Sequence, residues 1–142
     1  MGIFSNNKQI SELRQDYKKS SMRRSEISDD PFIQFSEWIN DAIDSELVEP
    51  NAMVLGTSYK DKPSCRSVLL KSFDERGFVF FTNYLSNKAK EINLQSKVSI
   101  LFPWYKIERQ VIILGYADKI SKEESNNYFK SRPRKSQLGA WV

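Results

Sequence analysis

The hydrophobic period of the chain changes at residue 52, and no other feature limits the possible folds as much. Before it, Phe32, Phe35, Trp38, Ile39, Ala42 and Ile43 recur at three- and four-residue steps, the apolar stripe of an amphipathic helix that ends near Glu46. Asp29-Asp30-Pro31 opens that helix with an acidic cap and a first-turn proline. Beyond residue 52 the pattern becomes that of strands. Residues 52–58 read as a strand, Tyr59-Lys60-Asp61-Lys62-Pro63 as a turn, and 65–71 as the returning strand of a hairpin. Asp74-Glu75-Arg76-Gly77 turns the chain into a strand over 78–82. Ser86 caps a short helix that runs to Gln95 through Ala89, Ile92 and Leu94, and 98–104 and 110–120 form two further strands. Ser121-Lys122-Glu123-Glu124 is a capping box for a helix carrying Tyr128 and Phe129. Arg132-Pro133-Arg134 breaks it, and Ser136 caps a last helical start over 137–140. Upstream, over 8–24, Ile10, Leu13 and Tyr17 lie at helical spacing in polar surroundings, a marginal helix that needs a partner surface. Short, mostly antiparallel strands with helices around them predict an α+β chain built on a small barrel. With 142 residues, this suits an arm over 1–30 and one domain over 31–142.

Composition removes several chemistries. There is no histidine, which excludes His-based acid–base catalysis, Ser-His and Cys-His nucleophiles, and most zinc sites. An enzyme made of this chain therefore leaves the hard step to a cofactor. A single cysteine, Cys65, allows no intrachain disulfide and argues against a thiolate metal site, so no metal is expected. No apolar run approaches the roughly 18 residues of a membrane span. The N-terminus has no signal-peptide core, and Gly2 with Ser5 misses the myristoylation pattern, so the expected location is the cytoplasm and no membrane partner is expected. The net charge of +4 suits anionic small molecules or weak nucleic-acid contact. Basic residues never run longer than two and most aromatics fall at core periodicity, which argues against nucleic acid. The five glycines are scattered, so neither a P-loop nor a dinucleotide fingerprint is present.

Three constellations remain for chemistry. The block Arg66-Ser67-Val68-Leu69-Leu70-Lys71 is a buried strand ending in cations. At about 3.3 Å per residue these cations lie roughly 16 Å apart on opposite faces, able to serve two phosphates and unable to clasp one. The plainer alternative is a half-buried strand with solvated ends. Ser86, Asn87 and Lys88 join this group at a helix start, where free N–H groups attract anions. Lys88 in the first turn opposes the helix dipole, which points to a bound anion. Next, Tyr128 and Arg132 share a helix face and Ser136 presents a hydroxyl one turn on, good chemistry for a phosphate monoester, unless these cations only solvate a helix end. Last, Gln110 in Glu108-Arg109-Gln110 can donate and accept at a heteroaromatic edge.

Taken together, Arg-Ser-Val-Leu-Leu-Lys (66–71), Phe-Phe-Thr-Asn (80–83), Ser-Asn-Lys-Ala (86–89), Leu-Phe-Pro-Trp (101–104), Glu-Arg-Gln-Val (108–111) and Ser-Arg-Pro-Arg-Lys-Ser-Gln-Leu-Gly-Ala-Trp-Val (131–142) closely resemble the pyridoxamine 5′-phosphate oxidase family. The resemblance runs in order from about Leu13 to the last residue. It implies a split β-barrel that forms a homodimer and binds FMN in clefts at the interface. It further implies that Arg66, Val68, Leu69, Leu70 and Lys71 line the flavin, with Phe81, Thr82, Lys88 and Gln110 completing the FMN contacts. Lys71, Tyr128, Arg132 and Ser136 are implied to hold the phosphate of pyridoxamine or pyridoxine 5′-phosphate, and Arg14 and Tyr17 to close over it. The implied reaction is oxidation to pyridoxal 5′-phosphate, with oxygen as acceptor and hydrogen peroxide as product. No catalytic residue is singled out.

Two departures from the family pattern stand out. Asn87 occupies a position in the FMN-phosphate site where the family usually has Arg, a loss of about 1.5–3 kcal/mol for one charge-assisted hydrogen bond. The chain also ends before the family's C-terminal strands, which carry a Trp and Arg for FMN and an Arg-x-His for the substrate. Two alternatives follow: a truncated, catalytically impaired dimeric module that binds FMN or pyridoxal phosphate, and another split-barrel flavoprotein acting as a reductase. The Ser-Arg-Pro-Arg and Ser-Gln block opposes the second.

Overall fold

The computed structural model describes Ile10 and residues 12–14, 16–18 and 22–139. Helix α1, Pro31–Asp44, begins as the sequence predicts, with the Asp30 carboxylate accepting from the N–H groups of Phe32 and Ile33. It buries Phe35, Ile39 and Ala42. The strands β1, Ala52–Tyr59, and β2, Lys62–Asp74, form a hairpin paired from Ala52↔Leu69 to Tyr59↔Lys62. Its turn is two residues, shorter than the predicted five, because Lys60 (φ 47°) and Asp61 (φ 60°) both take the left-handed conformation that matches strand twist. The remaining elements are β3, Gly77–Phe80; α2, Asn87–Leu94; β4, Lys97–Trp104; β5, Arg109–Tyr116; α3, Lys122–Ser131; and α4, Arg134–Gly139.

All five strands make one antiparallel sheet in the order β3-β2-β1-β4-β5. This is the expected α+β class, a curled half-barrel with flanking helices. Its inner face carries Met53, Leu55, Val68, Leu70, Ile100, Phe102 and Trp104, all buried. Phe35 of α1 drives into this face and meets Phe73, Phe78 and Phe102 edge-on, with centroids 4.8, 4.9 and 5.0 Å away. Trp104 buries its ring while its Nε1–H donates to the Pro50 carbonyl at 2.8 Å.

Two local features set the sheet's shape. Leu70 pairs with Phe80 and Ser72 with Val79, so Lys71 is one residue extra in β2, a bulge. Lys71 and Ser72 are therefore both exposed, while Leu70 and Phe73 both reach the core. Between β1 and β4, a Cβ at Gly56 would lie 2.5 Å from Ser99 Oγ, so only glycine permits this approach with Ser99 as it stands.

The ends of the chain depart from expectation. In the region read as an N-terminal helix over 8–24, of which residues 8, 9, 11, 15 and 19–21 lie outside the described residues, Ile10 is helical, residues 12–14 and 16–18 are not, and Arg24–Glu26 forms a short 3-10 turn. Leu13 and Tyr17 are 81% and 85% exposed, so the stripe has no surface to bury against. Strand β5 stops at Tyr116, short of 120. Helix α4 starts at Arg134, which puts Ser136 inside the helix and not at its cap. On β5, Val111 and Ile113 pack on the core whereas Ile112 and Leu114 face outward, 60% and 78% exposed.

Candidate functional site

The two edge strands, β3 and β5, are not bonded to each other, and residues at both edges line a single cavity of about 1670 Å³. A drug-sized ligand needs roughly 300–1,000 Å³. Helices α2 and α3 deliver the polar side chains to it. The hydroxyl of Ser86 accepts from the Ala89 N–H at 3.4 Å and caps α2, which leaves Lys88 in the first turn on the cavity wall. Thr82 reaches the same cap, its hydroxyl 3.4 Å from that of Ser86.

The start of α3 is held by the predicted capping box. Glu124 N–H donates to Ser121 Oγ and Ser121 N–H to Glu124 Oε2, both at 3.2 Å. Later in the helix Tyr128 faces the cavity, and Arg132 follows at its C-terminal cap. Gln137 of α4 donates to the carbonyls of Arg132 (2.9 Å) and Lys130 (3.3 Å), which latches α4 to the end of α3 and sets Ser136 at the cavity wall.

Three residues distant in sequence meet at Tyr128. The Tyr128 ring stacks on Phe81, centroids 3.5 Å apart and planes 7° from parallel, and Lys71 Nζ lies 5.7 Å from the Tyr128 ring centroid. Among the described residues, Lys71, Lys88 and Arg132 form no ion pair. Arg76, also on the wall, is tied to Asp74 at 2.7 Å, and its hydrogen bond holds the Asp74 carboxyl below its ordinary value. An open cavity with unpaired cations and a pair of aromatic faces fits a planar aromatic group bearing phosphate.

Arg66 is not among the residues that line this cavity. It lies on the inner face of β2, opposite in direction to Lys71, as the strand spacing predicts. One terminal nitrogen donates to Thr57 Oγ1 (2.6 Å) and the Leu55 carbonyl (3.3 Å), the other to Ser64 Oγ (2.7 Å) and Glu91 Oε2 (3.1 Å). The hydroxyls of Thr57 and Ser64 both donate to the same Glu91 oxygen. These bonds, led by that of Thr57, hold the Glu91 carboxyl below its ordinary value.

Of the residues singled out from sequence, Val68, Phe81, Thr82, Lys88, Tyr128, Arg132 and Ser136 line the cavity, and Lys71 joins them through Tyr128. The others lie elsewhere. Leu70 is buried in the core, Leu69 is half-buried on the outer side of β2, and Asn87 is exposed at the first position of α2. Gln110 is exposed on the outer side of β5, and Arg14 and Tyr17 are exposed upstream. The sequence reading missed Thr57, Ser64 and Glu91. Its available signal was two hydroxyl residues at inward strand positions, where the pattern of Met53, Leu55, Val68 and Leu70 asks for apolar side chains.

The model of one protein family, described as pyridoxamine 5′-phosphate oxidase, matches residues 39–142. A pyridoxine/pyridoxamine 5′-phosphate oxidase of Prochlorococcus marinus (strain MIT 9303) is 51% identical over 100% of this chain and 64% of its own length. One of Crocosphaera subtropica (strain ATCC 51142 / BH68) is 54% identical over 93% of this chain and 62% of its own length. The chain thus spans a little under two thirds of these relatives. Among solved structures, PhzG from Burkholderia lata 383, in complex with tetrahydrophenazine-1-carboxylic acid, superposes with a TM-score of 0.73 at 26% identity, covering 77% of this chain and 55% of that one. A pyridoxamine 5′-phosphate oxidase-related, FMN binding protein from Nostoc punctiforme PCC 73102 shares the fold, with a TM-score of 0.62 at 19% identity over 80% of this chain and 64% of that one.

Proposed function

The chain belongs to the pyridoxamine 5′-phosphate oxidase family, and on that premise we propose that it binds FMN and serves the oxidation of pyridoxamine or pyridoxine 5′-phosphate to pyridoxal 5′-phosphate, with oxygen as acceptor and hydrogen peroxide as product. The observation that carries this reading is the stack of Phe81 on Tyr128, approached by Lys71, in the wall of a cavity that Lys88 and Arg132 also line. It offers aromatic faces for flat rings and separate cations for two phosphates.

In this reading Lys88, Thr82 and the N-terminus of α2 hold the FMN phosphate together with Arg66, and Asn87 adds a neutral donor there. Val68 and Phe81 form the apolar wall for the flavin, with Leu70 behind them in the core. Lys71, Tyr128, Arg132 and Ser136 hold the substrate's phosphate, and Arg14 and Tyr17 close over it from the arm over 1–30. FMN supplies the electron acceptor and the reaction with oxygen. The chain's own groups orient two rings face to face, neutralise phosphate charge and exclude water.

A second copy of the chain completes the site in this proposal. The outward apolar residues Ile112 and Leu114 form the dimer surface, and Gln110 and Leu69, which face away from their own cavity, reach the ligands of the partner. No helix among the described residues is long and apolar enough to cross a membrane. The reading is of a cytoplasmic enzyme with neither nucleic acid nor membrane as partner.

The test is to add FMN to the purified chain and follow flavin binding, peroxide and pyridoxal 5′-phosphate. Bound flavin with turnover supports the oxidase. Bound flavin without peroxide favours the second reading, a non-catalytic dimeric module. Failure to bind flavin overturns the oxidase, and failure to bind both flavin and pyridoxal 5′-phosphate overturns both.

A further inference from the structure

We propose that Glu91 is a positioning residue for the FMN-phosphate site, acting through Arg66. This rests on the reading of Arg66 as a ligand of that phosphate. A guanidinium has five N–H donors, and four of those of Arg66 are taken up inside the chain. The acceptors come from three elements: Leu55 and Thr57 of β1, Ser64 of β2 and Glu91 of α2. The Nε–H is the donor these bonds leave for an outside anion. Glu91 is the centre of the arrangement, because one of its oxygens accepts from Arg66, Thr57 and Ser64 together. It lies one helical turn beyond Lys88, so the same contact fixes α2 and its cavity-lining cation against β2.

Two effects of Glu91 oppose each other, and their balance makes the proposal decisive. A carboxylate beside Arg66 lowers the local positive potential, which disfavours a phosphate. It also removes the rotational freedom of a long side chain, so an arriving phosphate meets a donor already aimed. Thr57 is 4% exposed, and without the carboxylate its hydroxyl keeps only the more distant Ser64 Oγ, at 3.2 Å, as an acceptor, so the arrangement around the guanidinium loosens. Orientation is the larger effect, and removing Glu91 weakens phosphate binding in spite of the gain in positive charge.

The experiment measures flavin fluorescence quenching by the full chain with FMN and with riboflavin, which lacks the phosphate. The dissociation constant of riboflavin divided by that of FMN reports phosphate recognition and is independent of the folded fraction in any one preparation. Glu91→Ala is expected to reduce that ratio about tenfold, and the better-tolerated Glu91→Gln to reduce it less, in the same direction. On an Arg66→Ala background, replacing Glu91 is expected to change nothing further. A ratio that is unchanged or raised by both Glu91 variants overturns the proposal. So does an equal fall on the Arg66→Ala background, which would mean that Glu91 acts through Lys88 or the fold. If the unaltered chain does not favour FMN over riboflavin, or Arg66→Ala keeps the full preference, the reading of Arg66 fails and takes the proposal with it.

Discussion

Phe81 and Tyr128 lie ring on ring, one from the residue after β3 and the other from within α3, with centroids 3.5 Å apart. The contact joins the part of the cavity assigned to the flavin to the part assigned to the substrate. Tyr128→Phe keeps the stack and removes only the phenol hydroxyl. Affinity for pyridoxal 5′-phosphate is expected to fall roughly tenfold, the worth of one hydrogen bond to a charged group, with FMN affinity unchanged. Calorimetric titration of each ligand checks it; equal losses for both ligands would place the hydroxyl in the fold and not in the substrate site.

The depressed carboxyl of Glu91 predicts a direction for acid sensitivity. Its folded form favours the ionised state, so its contribution to stability is complete above the ordinary value of 4.5 and is lost as pH falls through the lower folded value. Asp74, held down by Arg76, moves the same way. Comparison with Glu91→Gln isolates the first group. In urea unfolding, the stability gap between the two proteins is expected to be constant from neutral pH to about pH 5 and to narrow below 4.5. A gap that widens on acidification would contradict the assignment.

Gly56 and Ser99 form a pair in which one side chain fills the space the other gives up. Gly56→Ala alone brings the new methyl against Ser99 Oγ and is expected to cost about 1–3 kcal/mol, the usual range for overpacking. The next nearest atoms are the Ser99 carbonyl oxygen and Cβ at 3.7 and 3.8 Å, ordinary contacts. Adding Ser99→Ala is therefore expected to recover most of the loss. Denaturant midpoints of the two single variants and the double variant measure this coupling.

Ile112 is 60% exposed on the outer side of β5, within the surface proposed to meet a second copy. Ile112→Glu is expected to convert a dimer to a monomer in light scattering while leaving the circular dichroism of the monomer intact. A protein that is already monomeric before the substitution removes the basis for assigning Gln110 and Leu69 to a partner's site.

Much of the fold was legible because it rests on local chemistry. The Asp30 cap, the capping box of Ser121 and Glu124, and the change to a strand period at residue 52 are all short-range signals, and each appears as read. The errors have physical causes. Leu13 and Tyr17 have helical spacing, but a helix there needs a surface that the described residues do not supply. Lys71 and Ser72 are consecutive exposed residues, so the alternation in β2 breaks and the strand looks finished three residues early. For the candidate site, Tyr128, Arg132 and Ser136 were found because one helix and its continuation keep them close. The partnership of Arg66 with Glu91 was not, since it spans 25 residues and depends on where α2 packs.

The bulge at Lys71 has an architectural corollary. Leu70↔Phe80 and Ser72↔Val79 are already adjacent rungs, so excising Lys71 leaves every rung of the β2–β3 ladder with its mate and keeps Phe73 turned inward. The sheet would become more regular, and the only loss would be one ammonium group beside Tyr128. In the proposed function that irregularity serves ligand chemistry, and single-residue deletion, ordinarily ruinous in a strand, becomes here a way to test that role while sparing the scaffold.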